Sequence, residues 1–107
     1  MKFSVRELRK AQADKRGIFE WVHGDGRRGA SAGLAACDAM IDRLRTGADM
    51  FGEAYERADL DMDVKQALFK TRRGRVYRAL FLIEADNVYV LRVRGPGQAP
   101  VSSAEIA

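Results

Sequence analysis

The stretch from Val64 to Val101, VKQALFKTRRGRVYRALFLIEADNVYVLRVRGPGQAPV, does most to limit what this chain can fold into. Three runs rich in Val, Ile, Leu, Phe and Tyr lie within it, Val64–Thr71, Arg75–Glu84 and Val88–Arg94. Arg73-Gly74 and Ala85-Asp86-Asn87 separate them. Short β-type runs divided by turn residues predict consecutive hairpins, hence an antiparallel meander.

Strand residues alternate between faces, so the parity of each run can be read. In the second run Tyr77, Ala79, Phe81 and Ile83 share one face, and Arg78, Leu80, Leu82 and Glu84 the other. In the third, Tyr89, Leu91 and Val93 oppose Val90, Arg92 and Arg94. A three-residue loop at Ala85-Asp86-Asn87, with Asn87 left-handed, pairs Ile83 with Tyr89, Phe81 with Leu91 and Ala79 with Val93. That register makes one face wholly apolar, whereas a two-residue loop mixes the faces. On the opposite face it sets Arg78 beside Arg94 and Leu80 beside Arg92. Like charges opposite each other in a ladder are destabilising by roughly 0.2–1 kcal/mol. The pair therefore calls for an anion, supplied by a partner or by a carboxylate of the chain such as Glu84 or an acidic loop residue.

Upstream, Lys2–Glu7 alternates and reads as a short first strand. Leu8, Ala11, Ile18 and Val22 then fall near helical spacing, predicting a helix from about Leu8 or Ala11 to His23, with Gly17 inside it. Gly24-Asp25-Gly26 ends that helix, and His23 suits its C-terminus. A second helix is expected from about Ala30 to Thr46, with a stripe of Ala30, Gly33, Leu34, Cys37, Met40, Ile41 and Leu44, stopped by Gly47. The two would form a hairpin covering the apolar face of the sheet. Ala48–Asp63 is an acidic connection, long enough to carry a helical turn or a function of its own. Beyond Pro100 the tail is expected to be poorly ordered. The order β-αα-βββ describes one α+β domain over residues 1–107.

Chemistry is limited by composition. One cysteine, Cys37, and one histidine, His23, exclude an internal disulfide and the usual Cys/His zinc sites. No glycine-rich phosphate motif follows a strand, so neither a metal nor a small-molecule cofactor is expected. No apolar run approaches a membrane span and the start is not a signal peptide, so a cytoplasmic protein is expected. The net charge of +4 is unevenly spread. Residues 64–107 hold eight basic and three acidic residues, a net of +5, while residues 1–63 hold eleven and twelve, a net of −1. The positive field thus points to the sheet and its turns, as for nucleic acid or an acidic protein partner.

With these elements in order, and with VYRALFLI and VLRVRGPGQ as its last strands, the chain resembles the RelE/ParE superfamily of toxins from bacterial type II toxin–antitoxin modules. The resemblance implies a meander sheet with a helical hairpin on one face, and a cognate antitoxin that wraps the toxin with a helix and often an added strand. It implies one of two targets, the ribosome, where mRNA is cut, or DNA gyrase. For RNA cleavage, Arg78 and Arg94 match the sheet arginines and would hold the scissile phosphate. Lys65, Lys70, Arg72, Arg73 and Arg75 would contact the RNA backbone, with Arg92 and Gln98 also candidates for nucleic-acid or partner binding. The tail departs from the cleaving pattern, because no tyrosine follows Arg94 and Gly95-Pro96-Gly97-Gln98 stands there instead. By parity Tyr77 and Tyr89 lie on the apolar face. Whether the chain is an endoribonuclease is left open by these residues, and a catalytically silent module of the same fold, gripping nucleic acid or an acidic protein, is the alternative.

Overall fold

The computed structural model describes residues 3–22, 27–70 and 74–106. Strand β1 (Ser4–Glu7) is followed by helices α1 (Arg9–Val22) and α2 (Arg27–Gly47), then by a 3-10 turn and the short helix α3 (Arg57–Leu60). Strands β2 (Lys65–Lys70), β3 (Val76–Glu84) and β4 (Asn87–Arg94) come next, and α4 (Ser103–Ile106) closes the chain. The sheet order is β1-β4-β3-β2. The expected meander forms from β2, β3 and β4, and β1 adds to β4 in parallel, which makes the sheet mixed.

The helices cover one face. Cys37, Met40, Ile41 and Leu44 of α2 and Ala11 of α1 pack on Ala67, Phe69, Tyr77, Ala79, Phe81, Val88, Val90 and Val93. The spacing of the α2 residues is the 3.6-residue stripe expected of a helix with one buried face, although Leu34, expected in that stripe, is largely exposed. Burial pushes the Cys37 thiol up to about 11, so it is a packing group and not a nucleophile at neutral pH. The expected cap at His23 lies outside the described residues. Among the described residues no helix is long and apolar enough to cross a membrane.

The β3–β4 hairpin corrects the sequence reading in one respect and keeps it in another. Glu84 pairs with Asn87, so the loop has two residues, and Ala85, not Asn87, takes a positive φ of 54°. Pairing then runs Ile83 with Val88, Leu82 with Tyr89 and Phe81 with Val90. A shift between Leu80 and Phe81 leaves Leu91 as an extra residue in β4, a β-bulge. Beyond it the ladder resumes as Leu80–Arg92, Ala79–Val93 and Arg78–Arg94, the register expected for that end. The bulge reverses the parity read for the start of β4: Val88 and Val90 enter the helix-side core, and Leu91 and Tyr89 belong to the cluster on the other face.

That other face is covered, not exposed. Ala54 and Leu60 from the acidic connection, Val64 just after it and Val101 from the tail are buried with Leu80 and Leu91. The tail is therefore ordered where disorder was expected, because Val101 has a socket on the sheet and α4 follows it. At the start of α4 the pattern Ser102-Ser103-Ala104-Glu105 forms the carboxylate half of a capping box. The Glu105 carboxylate accepts the Ser102 N–H at 3.0 Å, and the Glu105 N–H donates to the Ser102 carbonyl at 3.0 Å.

Candidate functional site

Arg78 and Arg94 are Cα partners across β3 and β4, and Arg92 stands two residues before Arg94. The sheet thus brings the three arginines together on the face away from the helices. Each one is met by a carboxylate of the same chain.

Arg78 donates to both oxygens of Glu56, Nη1 to Oε1 at 2.9 Å and Nη2 to Oε2 at 2.7 Å, and Nη1 also reaches Gln66 Oε1 at 3.0 Å. The Tyr55 ring lies over the guanidinium, 4.9 Å from its carbon to the ring centroid. Glu56 is only 1% exposed, and its Oε2 also accepts the Val101 N–H at 2.9 Å. Burial disfavours its charge, but the hydrogen bonds from Arg78 and Val101 outweigh it and hold the carboxyl below the usual range. The bond to Glu56 likewise raises Arg78 against its own desolvation. Glu56 lies in the acidic connection whose role the sequence left open, and here it ties that connection, the sheet and the tail together.

Arg92 forms a second two-pronged pair, Nε to Asp14 Oδ2 and Nη2 to Asp14 Oδ1, both at 2.7 Å. Asp14 Oδ2 also accepts the Val93 N–H at 2.9 Å. The position explains the choice of residue. Strand β1 pairs with β4 only as far as Val90, so the next edge N–H would be unpaired, and α1 places a carboxylate there instead. The bond to Asp14 raises the Arg92 pKa further.

Arg94, 8% exposed, pairs with Glu105 through Nη2, and its Nε is buried without a partner among the described residues. The Glu105 carboxyl is held down at about 2, first by the Ser102 N–H and then by Arg94. Arg92 Nη1 adds a bond to the Glu105 main-chain oxygen at 2.9 Å. The three guanidinium groups therefore face Glu56, Asp14 and Glu105, charge for charge. The sequence pointed to an anion for this pair, and the chain supplies it from residues other than Glu84.

The remaining expected residues are dispersed. Lys65 Nζ donates to the Phe51 carbonyl at 2.9 Å and so fastens the acidic connection. Gln98 Oε1 accepts the Gly95 N–H and closes the turn after β4. Lys70 and Arg75 are exposed at the far end of the β2–β3 hairpin. Arg72 and Arg73 lie outside the described residues. Asp14, Glu56 and Glu105 were missed as members of the site. Only Glu105 had a local signal, the Ser-x-x-Glu pattern, whereas Asp14 sits 78 residues from Arg92. Among the described residues no three His, Cys, Asp or Glu side chains are grouped to hold a metal ion.

No protein-family model matches the chain, and no curated protein does. A chain in a solved structure described as the chromosomal ParDE TA system from P. aeruginosa superposes with a TM-score of 0.67 at 21% identity. The match covers 88% of this chain and 96% of that one. At that identity the likeness is one of fold: the chain shares the α+β architecture of that chain, with the meander and paired helices that its sequence suggested.

Proposed function

We propose that the chain is the toxin of a bacterial toxin–antitoxin module, neutralised by a cognate antitoxin, and that its target is DNA gyrase and not ribosome-bound mRNA. Support for the toxin comes from the fold shared with a chain of a ParDE toxin–antitoxin system. Support for a protein target comes from one observation: Arg78, Arg92 and Arg94 are already neutralised by Glu56, Asp14 and Glu105.

A phosphodiester entering this face would have to displace carboxylates. Glu56 is almost wholly buried and bonded to two segments, so Arg78 is a structural cation. Cleavage also needs a proton acceptor and a donor with pKa values near the working pH. The carboxyl nearest Arg94 sits at about 2, and Gly95-Pro96-Gly97-Gln98, which comes directly after Arg94, offers no tyrosine or histidine. Binding to a protein target needs neither group.

Purified protein added to a gyrase supercoiling assay and to a translation extract tests both halves. Inhibited supercoiling with intact mRNA is expected. Message cut during translation would overturn the target, and a chain that leaves growth unaffected on induction would overturn the toxin reading itself.

A further inference from the structure

Gly17 stands in the middle of α1, where glycine is a poor helix former. Packing does not demand it, since a Cβ built there meets nothing within 4 Å. The space it leaves belongs to a cleft of about 360 Å³ between α1 and the turn after β4. Gly17, Ile18, Tyr77 and Pro96 supply apolar walls, with Arg75 and Gln98 as polar members. On the far wall a Cβ on Gly95 would come within 3.2 Å of the Tyr77 ring, so that wall is shaped by glycine as well.

The charge around the cleft differs from that on the arginine face. Asp14, which also lines the cleft, is already held by Arg92 and the Val93 N–H. Arg75, which lines the cleft, is exposed and has no carboxylate partner among the described residues. An apolar recess beside a guanidinium that no described carboxylate pairs fits an apolar side chain next to a carboxylate. The volume lies at the low end of ordinary ligand sites and suits a single leucine or phenylalanine side chain as an anchor.

We infer that this cleft is the docking point for an acidic segment of a partner protein, which inserts one apolar side chain against Gly17 and Tyr77 and places a carboxylate on Arg75. The inference rests on the toxin–antitoxin reading for the partner's identity, the antitoxin. It moves recognition away from the paired arginines to a cleft whose arginine has no carboxylate partner among the described residues.

The test uses the full chain and, as probes, the proteins encoded by the genes on either side of its own, with affinity measured by calorimetry. Gly17→Ala should bind as the wild type does and melt at a higher temperature. Gly17→Trp, which fills the recess, should weaken binding about thirtyfold, the loss typical of an anchored contact, with its melting temperature near that of the wild type. Arg75→Glu, at an exposed position, should weaken binding about tenfold and serves if the tryptophan variant fails to fold. Full affinity in a folded Gly17→Trp chain, or in Arg75→Glu, would overturn the cleft while leaving the toxin–antitoxin reading intact. A wild-type chain that binds neither of the two proteins would overturn both.

Discussion

The two faces of the sheet are held by different physics. Under α1 and α2, side chains such as Met40, Leu44, Phe81 and Val90 form a continuous apolar interior. On the other face a smaller apolar cluster shares the surface with Arg78–Glu56, Arg92–Asp14 and Arg94–Glu105. Apolar packing is non-directional and roughly proportional to the area buried. A guanidinium–carboxylate pair is directional, and removing one member leaves the other desolvated and alone. The paired face should therefore respond to single substitutions far more sharply than to paired ones, while the helix-side interior should respond to volume.

Phe81→Ala should give the largest loss, because Phe81 is fully buried against the helices and meets Phe51 edge-on at 5.9 Å. About 4 kcal/mol is expected, read from the urea midpoint with an unchanged denaturant slope. Glu56→Leu should follow at about 3 kcal/mol, since it strands Arg78 and leaves the Val101 N–H without its acceptor. Adding Arg78→Met should recover most of that loss, because two apolar side chains then replace the pair. A double variant no more stable than the single would show that Glu56 acts through Val101 alone, and that the two faces differ less than their composition suggests.

Asp14→Asn is a milder probe. The amide oxygen can still accept the Val93 N–H, but the charge opposite Arg92 is lost. A loss of about 2 kcal/mol is expected, the scale of a hydrogen bond to a charged group. Amide exchange at Val93 should rise little, and a large rise there would mean that Asp14 serves the sheet edge more than the arginine.

How much of this was legible beforehand follows from which interactions are local. Alternation placed Tyr77, Ala79 and Phe81 on the helix side, and the same parity set Arg78 beside Arg94, as the ladder has them. The two-residue loop was not legible, because Ala85 carries the positive φ where Asn or Gly would have advertised it. Nor was the bulge at Leu91, which has no glycine to mark it and which cancels the one-residue change in loop length. Two errors of opposite sign thus left the arginine end in the expected register. The carboxylates were hidden for another reason: Glu56 and Asp14 lie 22 and 78 residues from their arginines, and periodicity reports only on neighbours. The tail looked disordered because it is small and polar, yet Val101 and the Ser102–Glu105 cap were both readable as a docked helix start.

The smallest effect belongs to Glu105, whose side chain keeps 35% of its surface in water, where ion pairs are partly screened. Its carboxyl is held at about 2, below the ordinary 4.5, so the native state favours the charged form. Stability from this group is fully present above about pH 4.5 and is lost as the pH falls through about 2. Glu105→Gln cannot titrate. The difference in urea midpoint between wild type and Glu105→Gln should therefore be constant above about pH 4.5 and shrink towards about pH 2. A gap that persists at pH 2 would mean that the tail is held by Val101 and the backbone, with the charge on Glu105 irrelevant. A closing gap would place the tail among the parts of this face that only a carboxylate can hold, and added salt should then narrow it at neutral pH as well.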